Sequence, residues 1–211
     1  MADYSKLDHF TLKAQKEGYP ARSVFKLKEM DAKFGLLKNH QRPFKVLDLG
    51  AAPGSWSLYV LRNLSGVGGF SLTSVDLGPL SRLYDQGLFD SQHFTFIQGD
   101  FTLPEIREEI LSLGPYNLVI SDAAPATTGN RSLDTLRSLD LGETALDYAG
   151  AALAQGGNLV IKVFQGGDTV SLLKKIQKSF KAGKAFKPIS CRADSFETYY
   201  LGLGLLSVPG D

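Results

Sequence analysis

The sequence predicts an α/β fold in which a mostly parallel sheet carries helices on both faces and ends in an antiparallel strand. Three observations predict it. After residue 44, short runs rich in Val, Ile, Leu and Phe alternate with helical patterns, as in βαβ units. Glycine or aspartate bounds most of these runs. The link between the last two runs is too short for a crossover helix, so these strands should pair antiparallel.

The apolar runs are predicted to form seven strands. They cover residues 45–49, 70–75, 94–98, 118–121, 159–162, 186–191 and 198–206. The alternation of the first five runs with helical patterns predicts a parallel sheet. Those patterns lie at residues 56–64, 103–113 and 135–153, and a further helix at 169–179 precedes the last two strands.

A mostly helical arm is predicted before the first strand. It is clearest at residues 23–34, where Leu27, Met30 and Phe34 share one face and Gly35 supplies the stop. No linker divides the chain, so we expect one domain over residues 1–211. It should consist of a basic helical arm at 1–44 and an α/β core at 45–211. Residues 123–135 read as the one long polar loop.

The net charge of +1 hides two basic segments around an acidic centre. Residues 1–45 carry ten Lys/Arg and five Asp/Glu, and residues 162–192 carry eight and one; residues 46–161 carry five and thirteen. This pattern suits a polyanion bound on one side of a fold that holds a cationic small molecule elsewhere. The alternative is a pair of solvated lysine-rich helices, and the apolar stripe of Leu172 and Ile176 favours it for the second segment taken alone.

Composition also indicates a cytoplasmic protein without membrane or metal. No apolar run reaches transmembrane length, and the first residues contain acids and lack an apolar stretch like that of a signal peptide. Cys191 is the single cysteine and is expected to be a small core residue. The three histidines are scattered, so no metal-ligand spacing is present.

Residues 46–57, "VLDLGAAPGSWS", read as a strand, a turn of small residues and a helix. Gly50 and Gly54 allow a ligand to approach the backbone where ligands bind in open α/β sheets. The G-x-G-x-x-G fingerprint of dinucleotide binding and a Walker lysine are both missing. A nucleotide-like cofactor without a pyrophosphate is therefore expected.

Aspartates end the next two strands. Asp76 is placed to accept both hydroxyls of a ribose, and Asp100 with Phe101 suits an adenine amino group and its ring face. Each aspartate alone could equally be a turn former or an N-cap. Together with Asp48 in the turn-bearing segment they favour an adenosine ligand, and S-adenosylmethionine fits because the acidic centre suits its sulfonium.

Lys162 interrupts the apolar run "NLVIKVF" at the end of a predicted core strand. An ammonium is costly to desolvate there unless partners hold it or it becomes neutral. The position is unusual enough to make Lys162 a candidate functional residue.

The chain resembles the RrmJ/FtsJ family of ribose 2′-O-methyltransferases over nearly its whole length. The resemblance rests on six segments in the family's order and spacing: "RSVFKLKEMD", "LDLGAAPGSWS", "QGDF", "SDAAP", "IKVFQG" and "SFETYYLG". It implies a Rossmann-like class I methyltransferase fold with a seven-stranded sheet and S-adenosylmethionine as cofactor. It also implies cofactor contacts at Gly54, Trp56, Asp76, Asp100 and Asp122.

The family's Lys-Asp-Lys-Glu catalytic tetrad matches Lys26, Asp122, Lys162 and Glu197. A ribose 2′-hydroxyl is a weak nucleophile that must be positioned and lose its proton. We expect Lys162 to be the general base, Lys26 and Glu197 to hold the hydroxyl and tune Lys162, and Asp122 to link this cluster to the cofactor methyl. Taken singly, Lys26 could be a solvated lysine, Glu197 a turn residue and Asp122 a strand terminator.

The resemblance implies RNA as partner, most specifically a uridine of large-subunit ribosomal RNA. Because no RNA-binding domain is added to the fold, we expect a preassembled particle as substrate, and we expect the protein to be a monomer. Basic residues around Lys13, Lys16 and Arg22 and the segment 174–192 would contact phosphates. The alternatives are tRNA or an mRNA cap as substrate, a non-catalytic RNA-binding assembly factor, and a methyltransferase for small molecules or protein. Phe196 departs from the family pattern, because bacterial members commonly carry a basic residue just before the glutamate.

Overall fold

One continuous sheet organises the chain in the computed structural model, which describes residues 8–38, 43–192 and 195–206. Over those residues the sheet has seven strands in the order β3-β2-β1-β4-β5-β7-β6. The strands are β1 (Phe44–Leu49), β2 (Phe70–Asp76), β3 (Phe94–Gln98), β4 (Tyr116–Ser121), β5 (Leu153–Phe164), β6 (Phe180–Phe186) and β7 (Glu197–Leu205). The first five are parallel, and β7 lies antiparallel between β5 and β6. The predicted mostly parallel sheet with an antiparallel final strand is confirmed.

Helices cover both faces of the sheet. They are α1 (His9–Lys16), α2 (Val24–Phe34), α3 (Ser55–Leu64), α4 (Pro104–Ser112), α5 (Arg131–Ala152) and α6 (Thr169–Ser179), with a 3₁₀ turn at Leu88–Asp90. Successive strand residues point to opposite faces, so Val46 packs in the core under α1 to α3 and Leu47 in the core under α4 to α6. Burial on both faces explains why the strands read as continuous apolar runs.

The N-terminal arm is helical, as predicted, and packs directly on the sheet. α2 buries Val24, Leu27 and Met30 in the same core as α3. Gly35 ends α2 with a left-handed backbone (φ 68°), as the sequence indicated. This packing holds Lys26, which lies on the same helix, almost fully buried. Parts of the predicted arm, residues 1–7 and 39–42, lie outside the described residues.

The strand predicted at residues 186–191 is wrong, because β6 ends where that prediction begins. Pro188 has no N–H to donate to a ladder, and Ile189 is 87% exposed. The N–H groups of Ile189 and Ser190 donate to the carboxylate of Glu29 at 2.6 and 2.9 Å. The segment is therefore a loop fixed to α2.

β6, which lies at one edge of the sheet, was not predicted. Its sequence, "FKAGKAF", has exposed lysines at positions 181 and 184 and little apolar pattern. Lysines on an edge strand prevent pairing with other chains. The predicted antiparallel pairing with the last strand is nevertheless confirmed.

α5 begins at Arg131, before the predicted start at residue 135, and shortens the predicted loop. The side chain of Asn130 caps it by accepting hydrogen bonds from the N–H groups of Ser132 and Leu133 at 3.1 and 3.2 Å. The following strand, β5, is likewise longer than the predicted run at 159–162.

The described residues show no membrane or metal feature. None of the helices within them has both the length and the apolar character that a bilayer crossing needs. The same residues contain no group of three or more His, Cys, Asp or Glu side chains arranged to hold a metal ion. Cys191 is half-buried and packs against the core under α1 to α3.

Candidate active site

A cavity of about 680 Å³ opens at the carboxyl ends of the parallel strands. Its walls come from the loops after β1, β2, β3 and β4, from β5 and from α5, which is where ligands bind in open α/β sheets. Six residues proposed from the sequence line it together: Gly50, Asp76, Asp100, Phe101, Asp122 and Lys162.

Gly50 forms part of the cavity floor. Its φ is +74°, and a Cβ there would lie 2.6 Å from the Cβ and 2.7 Å from the Cα of Ala123. Only glycine allows the loops after β1 and β4 to meet this closely. The floor is therefore made of backbone and small side chains.

Asp76 and Asp100 are held by backbone hydrogen bonds. Asp76 accepts from the N–H groups of Ala52 (2.9 Å) and Gly78 (2.8 Å). Asp100 accepts from the N–H and the hydroxyl of Thr102 at 2.9 and 2.7 Å. An ionised carboxylate has about four acceptor sites, so both retain capacity for a ligand. Their turn-forming role and a binding role are compatible.

Phe101 is fixed beside Asp100. Its carbonyl accepts a hydrogen bond of 2.6 Å from the hydroxyl of Tyr148, and the two rings pack edge to face with centroids 6.4 Å apart. The ring is 8% exposed. It gives the cavity a rigid apolar surface.

The wall contributed by α5 was not predicted. Arg137, Asp140, Leu141 and Thr144 line the cavity. Their i, i+3, i+4, i+7 spacing places them on one helix face. This spacing was visible in the sequence, but it does not distinguish a cavity-lining face from any other face of a helix.

Two predicted cofactor residues do not line the cavity. A Cβ on Gly54 (φ 103°) would lie 2.9 Å from the ring of Phe89, so this glycine allows α3 to start close to that ring. Trp56 is 2% exposed, and its indole N–H donates to the carbonyl of Ser23 at 2.9 Å. Gly54 therefore lets the start of α3 approach Phe89, and Trp56 connects α3 to the N-terminal arm at Ser23.

The four proposed catalytic residues form two ion pairs. The ammonium of Lys26 lies 2.8 Å from each carboxylate oxygen of Glu197. The ammonium of Lys162 lies 3.0 Å from Oδ1 of Asp122 and also donates to the Asp122 backbone carbonyl. β5 and β7 bring the pairs together, because Lys162 lies opposite the residue two positions after Glu197.

A second cavity, of about 380 Å³, contains the ion pair of Lys26 and Glu197. It is lined by Arg22, Lys26, Thr127, Arg192, Ser195, Phe196 and Glu197. Arginines and a lysine outnumber the single carboxylate in this lining, so the cavity suits an anionic ligand. Each cavity thus contains one ion pair of the tetrad. This arrangement suits two reactants that enter different cavities and meet between the two ion pairs.

Asp122 is held ionised by its neighbours. Burial opposes its ionisation, but the charges of Lys162 and Lys26 and the hydrogen bond from Tyr199 outweigh burial and hold the pKa of this carboxyl below its usual value. Asp122 therefore carries a negative charge at neutral pH.

Tyr199 is a site residue that the sequence reasoning missed. Its hydroxyl donates to Oδ1 of Asp122 at 2.7 Å, and the ammonium of Lys26 lies 5.9 Å from its ring centroid. Burial, with the nearby negative charges, raises the pKa of Tyr199 well above its usual value, so it stays a donor. It connects the two ion pairs. The available signal was the i, i+2 spacing from Glu197, which places both side chains on one face of β7.

Comparison with known proteins identifies the family. The model of the FtsJ-like methyltransferase family matches residues 19–205. The chain belongs to this family. A Ribosomal RNA large subunit methyltransferase E from Treponema denticola is 52% identical over 201 residues, which cover 95% of this chain and 96% of that one. Another from Borrelia garinii is 44% identical over 196 residues, covering 92% and 95%.

Solved structures agree on the fold. A crystal structure described as that of a ribosomal RNA methyltransferase from Plasmodium falciparum matches 90% of this chain and 100% of its own, with a TM-score of 0.73 and 24% identity. At that identity the likeness concerns the architecture alone. The FtsJ-like chain therefore has a class I methyltransferase fold.

A buried carboxyl, Asp48, lies near the carboxyl end of β1 in this FtsJ-like methyltransferase. Its Oδ2 accepts from the hydroxyl of Ser57 at 2.7 Å, and that hydroxyl lies 3.0 Å from Ser74 Oγ. Among the described residues Oδ1 has no hydrogen-bond partner. Burial, reinforced by the charges of Asp122 and Asp76, raises the pKa of Asp48 to about 7.

We expect Asp48 to make folding stability fall as pH rises. The folded state keeps a proton that the unfolded chain, with a pKa near 3.8, releases. Its contribution is therefore complete below about pH 4 and is lost progressively as pH rises to about 7. The loss is about 1.4 kcal/mol per pH unit inside that window. Asp48→Asn cannot titrate, so its stability relative to the parent should rise by roughly 3 kcal/mol between about pH 5 and pH 8.

Urea unfolding of the two proteins across this pH range measures the effect. Asp168→Asn, which changes an exposed carboxyl, is the matched control. A stability difference between Asp48→Asn and the parent that does not vary with pH would show that Asp48 is already ionised in the folded protein.

Proposed function

We propose that this methyltransferase transfers a methyl group from S-adenosylmethionine to a ribose 2′-hydroxyl of large-subunit ribosomal RNA. The observation that carries the proposal is the placement of the tetrad. Lys162 and Asp122 face the 680 Å³ cavity, whereas Lys26 and Glu197 face the 380 Å³ cavity, called the basic cavity because two arginines and a lysine line it. The 2′-hydroxyl would enter from the basic side and the methyl group from the other. The naming of the relatives as large-subunit RNA methyltransferases supports this substrate.

The larger cavity fits the cofactor. Asp76 can accept the ribose hydroxyls, and Asp100 with Phe101 can hold the adenine amino group and ring. The floor at Gly50 admits close approach, and the adjoining loop lacks the glycine fingerprint of a pyrophosphate site. When bound, S-adenosylmethionine supplies an electrophilic methyl group on a sulfonium.

The residues of the tetrad would position the nucleophile and remove its proton. Lys26 and Glu197 hold the 2′-hydroxyl, and Asp122 orients Lys162 toward the interface between the cavities. We assign Lys162 as the base. A lysine accepts a proton only in its neutral form, which a second lysine and a cationic cofactor favour and which two carboxylates oppose.

The basic surface around the smaller cavity would bind the RNA backbone. Arg22 and Arg192 line this cavity, and Lys13 and Lys16 are exposed on α1. Asp8 bonds to Arg22 and lies 3.5 Å from Arg192, so a phosphate would compete with this carboxylate. None of these contacts reads a base edge, which favours a structured particle as substrate. We further propose that the chain acts as one domain, as a monomer, in the cytoplasm.

Methyl transfer to purified RNA species tests the function. With tritiated S-adenosylmethionine, label should enter large-subunit particles that lack the modification, at a single nucleotide whose 2′-O-methyl group blocks alkaline cleavage. Free tRNA and capped mRNA serve as competing substrates. Label found only in tRNA or in a cap would mean that this RNA, and not large-subunit ribosomal RNA, is the substrate. Particle binding without any label would indicate a non-catalytic assembly factor.

A further inference from the structure

Phe196 is an aromatic residue in a cavity otherwise lined by polar and charged groups. It directly precedes Glu197, and its side chain is partly exposed. Apolar rings in core positions pack away from water, whereas this ring contributes surface to a cavity that suits an anion. Partly exposed aromatic rings beside cationic side chains are the usual surface for stacking nucleobases.

The ring is held from outside the cavity. Phe164 packs against it with centroids 4.7 Å apart at 59°, and the guanidinium of Arg131 lies 5.1 Å from its centroid. Neither residue lines the cavity. The backbone is fixed as well, because the N–H of Gln165 donates to the carbonyl of Phe196 at 2.7 Å. Phe196 is therefore positioned before any ligand enters.

The covalent structure of a nucleotide places its base close to Phe196 when its 2′-hydroxyl is held in the same cavity. The base and the 2′-hydroxyl are bonded to neighbouring carbons of the sugar, so a group that holds the hydroxyl must lie within a few bond lengths of the base. Glu197 and Lys26 are the proposed holders of that hydroxyl, and they share the cavity with Phe196. The cavity volume of about 380 Å³ is within the range of small-ligand sites.

We propose that Phe196 is the stacking surface for the base of the nucleotide that is methylated, with Arg22 and Arg192 holding the adjacent phosphate. This assignment rests on the proposed function and names the part of the RNA that the basic cavity receives. Stacking tolerates any base, since every base has an aromatic face. Selection of the nucleotide then comes from the shape of the RNA rather than from base-edge hydrogen bonds.

Three substitutions of Phe196 test the proposal with unmodified large-subunit particles as substrate. In Phe196→Ala and Phe196→Leu, kcat/KM for particles should fall on the order of 10-fold or more, the loss of one base–aromatic stack. Phe196→Tyr keeps an aromatic face and should stay close to the parent. The KM for S-adenosylmethionine should be unchanged in all three, and thermal unfolding checks that each is folded.

The leucine variant separates stacking from packing, because leucine can fill the space against Phe164 but cannot stack. Parent-like activity in Phe196→Leu would overturn the proposal. Arg192→Ala is the matched control for a phosphate contact. It should reduce the dependence of RNA affinity on salt by about one unit of log–log slope, whereas Phe196→Leu should leave the slope unchanged. If the parent protein transfers no methyl group to RNA, the proposed function itself fails and the stacking assignment fails with it.

Discussion

Lys162→Ala should abolish methyl transfer while RNA binding persists. Proton removal by a positioned base contributes about 10²- to 10⁴-fold to a rate, so we expect kcat to fall by about 1,000-fold or more. The ammonium also holds Asp122 through its carboxylate and its carbonyl. Among the described residues, its removal leaves the partly buried carboxylate of Asp122 with the hydrogen bond from Tyr199 and the more distant charge of Lys26.

Lys162→Arg separates the role of base from the role of cation. Arginine keeps a positive charge beside Asp122 but does not lose its proton in proteins. If Lys162 is the base, the arginine variant should be as inactive as the alanine variant. If Lys162 only positions the hydroxyl, the arginine variant should regain part of the lost rate.

Single-turnover methyl transfer on large-subunit particles measures both variants, and filter binding of the same particles checks that RNA affinity is kept. Thermal unfolding shows whether loss of the Asp122 partner has destabilised the fold. Activity of Lys162→Ala equal to that of the parent would remove Lys162 from the chemistry.

Much of the site was predictable because it depends on topology. Parallel strands end at the same edge of a sheet, so residues that follow strands meet there even when far apart in the chain. Asp76, Asp100 and Asp122 each come at or just after the end of a strand and line one cavity. This proximity follows from the order of elements alone.

The pairing within the tetrad was not predictable from the motifs. The sequence suggested one cluster of four ionisable groups, whereas the structure contains two ion pairs facing different cavities. Which lysine meets which carboxylate depends on where the tertiary fold places Lys26 of α2 relative to the first residue of β7. Tyr199 was missed for the same reason, since its importance lies in its contact with Asp122, which follows β4 on the other side of β5.

The strand prediction failed at β6, where the sequence has little apolar pattern. The predicted runs match β1 to β4 within two residues at their ends, including β3, which forms the other edge of the sheet. β6 is exposed along one edge and carries lysines there, so its composition resembles that of a solvated segment. Phe186 at the end of β6, together with Ile189 and Cys191 in the loop that follows, gave a stronger apolar signal than the rest of the strand.

Asp76→Ala should weaken cofactor binding much more than Lys162→Ala does. Asp76 supports the site in two ways, because it would accept the ribose hydroxyls and it also accepts the N–H groups of Ala52 and Gly78. Hydrogen bonds to a charged group contribute about 1.5–3 kcal/mol each. We therefore expect the KM for S-adenosylmethionine to rise about 10- to 100-fold, with kcat changed far less.

Calorimetric titration with S-adenosylhomocysteine measures the same loss without involving the reaction. Asp76→Asn is the matched variant, since its amide oxygen can replace only part of the acceptor capacity of the carboxylate, and it should lie between the parent and Asp76→Ala. Glu105→Ala, which removes an exposed carboxylate on α4, controls for the change in net charge.

A greater loss of cofactor affinity in Lys162→Ala than in Asp76→Ala would mean that the ends of the cofactor are placed the other way round in the 680 Å³ cavity. The carboxylate at the end of β2 would then lie by the reacting methyl group rather than by the ribose.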